Sequence, residues 1–141
     1  MPLKLSLKPG ERFVINGAVL QNGDRRAVIL LQNKASILRE KDIIQPEDVD
    51  TPVKRIYFPI MMMYLEPDNA SRFYDEFVLR MNELMAAIRT PEVLKDCVSV
   101  SRDVIAGEYY KALTRCRKIL AYEQELLGHV DTGLPEGGSE E

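Results

Sequence analysis

Leu3-Lys4-Leu5-Ser6-Leu7-Lys8-Pro9-Gly10, followed by Arg12-Phe13-Val14-Ile15-Asn16-Gly17-Ala18-Val19-Leu20-Gln21, decides how the first third of this chain folds. Leu3, Leu5 and Leu7 alternate with Lys4, Ser6 and Lys8, so an extended strand here has one apolar and one basic face. Pro9-Gly10 ends it in a turn. Asn16-Gly17 lies between β-prone residues and marks a hairpin, because both central positions of its turn need positive φ. Asn22-Gly23-Asp24 is another turn signal. Arg26 to Gln32 then reads as a strand whose unbroken run Val28-Ile29-Leu30-Leu31 predicts burial on both faces, in a two-layer core or at a subunit interface. Ser36 to Arg39 is a short last strand.

Further along, residues 40–55 read as a connector, with Pro46-Glu47-Asp48 and Thr51-Pro52 turn-like. In Ile56 to Leu65, Pro59 suits the start of a short helix, with Tyr57-Phe58 as a strand before it. Asp68 or Asn69 caps a helix to about Arg89, with Phe73, Phe77, Met81, Leu84, Met85 and Ile88 on one stripe. Thr90-Pro91 starts a second helix at once, striped by Leu94, Cys97, Val98, Ser101, Val104 and Ile105. Gly107 breaks it. A third runs from Tyr109 or Tyr110 through Leu113, Cys116, Ile119, Leu120 and Glu123 to Leu127, with Gly128 as its stop. The expected fold is α+β: a small antiparallel β-unit followed by a three-helix C-terminal half. We divide it into a basic β-rich unit with connector (1–55), a helical unit (56–130) and a disordered acidic tail (131–141).

The chain has 141 residues, 45% hydrophobic and 29% charged, the composition of an ordinary globular protein. Its net charge of −3 hides an asymmetry: residues 1–44 carry eight Lys/Arg against four acids, the remainder eleven against eighteen. A basic first third on an acidic chain suggests an anionic partner. No apolar run approaches the ~20 residues that span a bilayer, and Lys4 and Lys8 interrupt any signal peptide. With only Cys97 and Cys116, a disulfide framework is not expected, and the cytoplasm is the expected compartment.

Catalytic and metal-binding patterns are missing. His129 stands alone, without partners at ligand spacing, and reads as a polar residue beside the last helical carbonyls. Cys97 and Cys116 lie on apolar helical stripes, as buried small hydrophobes rather than nucleophiles. Gly10, Gly17 and Gly23 sit in hairpin turns and open no helix, so no phosphate loop is present. Glu47-Asp48 lacks apolar shielding that would tune a general acid. Met61-Met62-Met63 point different ways and read as core. We expect a binding protein with no cofactor and no metal, not an enzyme.

Four stretches carry a family resemblance: Leu3–Arg26 (LKLSLKPGERFVINGAVLQNGDRR), Leu31–Ile44 (LQNKASILREKDII), Ile56–Pro67 (IYFPIMMMYLEP) and Tyr109–Glu123 (YYKALTRCRKILAYE). Over the chain to about His129 they resemble the FlbT family of flagellin post-transcriptional regulators of alphaproteobacteria. The resemblance implies association with the 5′ untranslated region of flagellin mRNA, usually repressing translation and promoting message decay, although some members act positively. A FlaF-type flagellar regulator is the functional antagonist it implies. A fainter resemblance links Gly10-Glu11, Phe13-Val14-Ile15 and Ile37-Leu38-Arg39-Glu40 to the carbon storage regulator (CsrA) family of small swapped β dimers. Lys8 and Arg39 match that family's RNA-contacting positions, while Leu7 and Leu38 depart from its pattern.

Given these resemblances, Lys4, Lys8, Arg25, Arg26, Lys34 and Arg39 are the expected RNA-binding residues, forming one rim if the sheet brings first and last strands together. Phe13 is the only aromatic residue before Tyr57, so phosphate contacts are expected to dominate over base stacking. In a second reading the chain is a protein-interaction adaptor. Its last two helices resemble a helical-hairpin repeat, with Tyr109, Tyr110 and Leu113 as partner-binding residues. The Val28–Leu31 run hints at a homodimer, which helices packed on the sheet would make unnecessary.

Overall fold

Asn16 and Gly17 take φ values of 50° and 83°, the double positive-φ turn that joins β2 (Arg12–Ile15) to β3 (Ala18–Gln21). The structure, a computed structural model, describes the backbone of residues 3–132 and side chains up to residue 127. The other strands are β1 (Leu3–Leu7), β4 (Ala27–Leu31) and β5 (Ile37–Arg39). They form two antiparallel sheets, β1–β4 and β3–β2–β5. First and last strands are therefore not neighbours in one sheet.

Register explains how the sheets stack. Phe13 pairs with Arg39 and so shares its face, while Val14 pairs with Leu38 on the opposite face. Arg39 Nη2 donates to the carbonyl oxygen of Ser6 in β1, which places the β1–β4 ribbon over the Phe13 face. Leu5, Leu7 and Phe13 are buried there, apart from the main core. Val14 and Leu38 face the other way and join the helical core. The order is thus ribbon, sheet, helices.

Within the chain the outer ribbon has only one covered face, which corrects the two-layer-core reading of Val28–Leu31. Leu5 pairs with Ile29 and Leu7 with Ala27 on the inner side, while Lys4, Ser6, Val28 and Leu30 face outward. Val28 and Leu30 are 53% and 58% exposed. An unbroken apolar run is buried on both faces only if a layer lies on each; the chain itself supplies only the inner one, so burial of the outer face would need a second subunit.

The helices number four rather than three. Residues Pro52–Leu65 form α1, which absorbs the expected turn, strand and short helix. Thr51 Oγ1 accepts from Lys54 N, and Pro52 occupies the first turn, where a missing N–H is harmless. Pro59 therefore lies inside the helix. Its ring is buried among Ile56, Ile60 and Met63, all fully inside, so tertiary packing holds a helix that local propensity would interrupt. A cap from afar completes the start: the buried Glu123 carboxylate accepts from Val53 N (3.0 Å) and Thr51 Oγ1 (2.5 Å). Its charge also suits the positive end of the helix dipole.

Helix α2 (Ala70–Ala87) buries Phe77, Met81 and Leu84, as its periodicity indicates. Helix α3 (Pro91–Ile105) starts at the expected proline but presents Val93, Cys97, Val100 and Val104 inward. Val98 and Ile105 from the expected stripe are exposed. The inner face includes Asp103, whose carboxylate accepts from Arg115 Nε at 2.8 Å. Gly107, at φ 77°, turns the chain into α4 (Tyr109–Thr132). That helix passes through Gly128; glycine weakens a helix without forbidding it, and no proline follows before Pro135. The side chain of His129 and the tail from residue 133 lie outside the described residues. No helix among the described residues is long and apolar enough to cross a membrane.

Candidate functional site

Asn22 gathers one end of the β-unit. Its Nδ2 donates to the carbonyl oxygens of Lys8 and Arg25, each at 2.8 Å, so the end of β1 and the turn before β4 lie side by side. Lys8, Arg25 and Arg26 therefore cluster, all exposed. Lys8 also lines a groove of about 640 Å³ with Pro9, Gly10, Glu11, Arg39, Glu40 and Lys41.

The acids in this groove are already engaged. Glu11 is bonded to Arg39 at 3.1 Å and accepts from Lys8 N at 2.9 Å. The Arg39 hydrogen bond, then that backbone N–H, hold its carboxyl below the usual range. Glu40 accepts from Arg12 N. Lys8 and Lys41 make no ion pair among the described residues, so the groove presents surplus positive charge. Arg39, with its guanidinium on Glu11 and the Ser6 carbonyl, ties the two sheets together.

A cleft of about 790 Å³ between the β-unit and the helices shares Arg39 and Lys41 with this groove. The β-unit contributes Leu3, Leu5 and the segment from Lys34 to Arg39, and the helices contribute Tyr64, Tyr110 and Arg117. Tyr64 is fixed on the outer edge of β5: its hydroxyl accepts from Ile37 N (2.8 Å) and donates to Ile37 O (3.0 Å). Its ring lies 5.4 Å from that of Tyr110, tilted by 45°, and the Arg117 guanidinium stands 5.6 Å from the Tyr110 ring centre.

The six cations expected to form one rim are thus distributed. Lys8, Arg25 and Arg26 cluster at the ribbon end, Arg39 bridges the sheets, and Lys34 lines the cleft. Lys4 points from the outer face of β1, beside Leu30. Sequence reasoning missed Lys41, Arg117 and Tyr64. Tyr110 and Arg117 are seven residues apart on α4, two helical turns, so their shared face was a legible signal. Of the three residues expected to bind a partner, Leu113 is fully buried in the core. Tyr109 lines a separate groove of about 380 Å³ with Ala70, Tyr74, Val104 and Ile105. Tyr110, half exposed, belongs to the cleft.

Comparison with known proteins gives a consistent family. The family model described as "Flagellar protein FlbT" matches residues 3–127. The "Flagellum biosynthesis repressor protein FlbT" of Caulobacter vibrioides is 62% identical over 138 residues, covering 98% of each chain. A "Probable flagellum biosynthesis repressor protein FlbT" of Rhodopseudomonas palustris is 41% identical, over 90% of this chain and 98% of its own. One from Bradyrhizobium diazoefficiens is 34% identical, over 96% and 92%. No solved structure matches.

Proposed function

From the premise that the chain belongs to the FlbT family of flagellar proteins, we propose that it regulates flagellum biosynthesis by binding the 5′ untranslated region of flagellin mRNA. Its relatives bear the name of a repressor, a regulator rather than an enzyme, and repression of translation with message decay is the outcome we assign.

One observation carries the RNA reading. In the groove and the adjoining cleft Glu11 and Glu40 accept hydrogen bonds and Asp42 is ion-paired with Arg117, while Lys8, Lys34 and Lys41 face solvent without ion pairs among the described residues. A polyanion fits such a surface because each phosphate contact releases counterions. The test is anisotropy of a labelled flagellin leader over rising salt. About four contacts to a single strand predict a log–log slope near −3, and replacing Lys8, Lys34 and Lys41 by alanine flattens it by about 2. A flat response for the unmodified protein overturns the reading.

A second reading has one observation in its favour. The groove beside Tyr109 exposes apolar surface, with Ile105 at 72% and Tyr74 at 38%. It suits a protein partner, and a FlaF-type regulator is the candidate. Capture of that protein by the full chain, lost on Ile105→Asp while leader binding persists, supports a separate adaptor face.

A further inference from the structure

Sequence reasoning found a basic β-unit poor in aromatic residues. The folded chain supplies them from elsewhere: Tyr64 on α1 and Tyr110 on α4 reach the cleft that Lys34 lines from the β-unit. Arg117 adds a guanidinium beside them. Its Nε is 3.2 Å from Asp42 Oδ1, close enough for charge attraction, but the N–H is not aimed at that oxygen. The Arg117 side chain as a whole is 27% exposed, so its open edge adds positive charge to the wall of the cleft.

We propose that this cleft takes one unstacked nucleotide of single-stranded RNA, its base on the open side of Tyr110 and its phosphate on Lys34 and Arg117. The proposal rests on the RNA reading above and adds a base-dependent contact to it. The cleft volume, about 790 Å³, is within the range of small-ligand sites. Tyr110 is 49% exposed, which leaves ring surface for stacking, while Tyr64 and the Arg117 guanidinium hold the ring in place. Lys41 and Arg39 join the cleft to the groove at Lys8, so flanking phosphates continue along the same basic track. Asp42 is the one carboxylate in the lining, and its charge is turned to Arg117.

The test uses the full chain with short single-stranded oligoribonucleotides and an abasic oligoribonucleotide of equal length, which keeps the phosphates and lacks the bases. Tyr110→Ala is expected to weaken binding of the base-bearing RNA about tenfold or more, and Tyr110→Phe to bind as the unmodified protein does. The abasic strand should bind weakly, and equally to the unmodified protein and Tyr110→Ala. Because Tyr110 is half exposed, the variant should melt like the parent, which circular dichroism checks. Equal RNA binding by Tyr110→Ala and the parent, or equal binding of abasic and normal RNA, overturns the nucleotide site and leaves the RNA reading standing. Absence of any RNA binding by the parent overturns both.

Discussion

Replacing Glu123 by alanine tests whether a side chain seventy residues distant caps α1. The carboxylate is 8% exposed and accepts two hydrogen bonds, from Val53 N at 3.0 Å and Thr51 Oγ1 at 2.5 Å. Hydrogen bonds to a charged group contribute about 1.5–3 kcal/mol each, and water entering the vacated space recovers part of that. A net loss of about 3 kcal/mol follows, or about 10 °C in Tm for a chain of this size. Glu123→Gln keeps one acceptor oxygen and the shape, and should lose roughly half as much. Thr51→Ala alone should lose about 1 kcal/mol, and less again when Glu123 is already alanine, because the two share one bond. Thermal and urea melts followed by helical circular dichroism provide the numbers. A shift of less than about 2 °C for Glu123→Ala would refute the capping argument.

Two further outcomes follow from the same geometry. Glu11 titrates below the usual carboxylate range, so its contribution is full above about pH 4.3, the unfolded-chain value, and is lost as pH falls through the lower folded value. Tm measured against pH should therefore fall more steeply on the acid side for the parent than for Glu11→Gln; parallel curves would show that the Arg39 pair adds nothing. Burial pushes the Cys97 thiol up to about 11 and Cys116 higher still, so neither should react with a thiol reagent near neutral pH until the chain unfolds. Rapid labelling of the native protein would contradict the packing of α3 on α4.

Local chemistry made the strands legible. Asn16-Gly17, Pro9-Gly10 and the Leu3–Leu7 alternation each bear their signal within a few residues, and the β elements lie where those signals put them. Helix α1 was obscured because Pro59 ordinarily interrupts a helix, and the packing that tolerates it comes from α2 and α4. The rotated face of α3 was hidden for a similar reason: Asp103 looks outward-facing until Arg115, twelve residues on, is seen to pair with it. The candidate site was half legible. Its lysines stand out in a basic first third, but the pairing of Arg39 with Glu11 and the arrival of Tyr64, Tyr110 and Arg117 depend on how distant elements meet.

That meeting has a consequence for synthesis. Strand β1 waits for β4, β2 waits for β5, and the far wall of the cleft arrives only with α4. A nascent chain leaves the ribosome N-terminus first, so the cations emerge long before Tyr110 and Arg117. A prematurely released fragment ending before residue 110 would keep the basic first third and Tyr64 but lack Tyr110, Arg117 and the Glu123 cap. It would be a β-unit with an open cleft and an uncapped α1 rather than a smaller version of the protein, and completion of translation is what closes both.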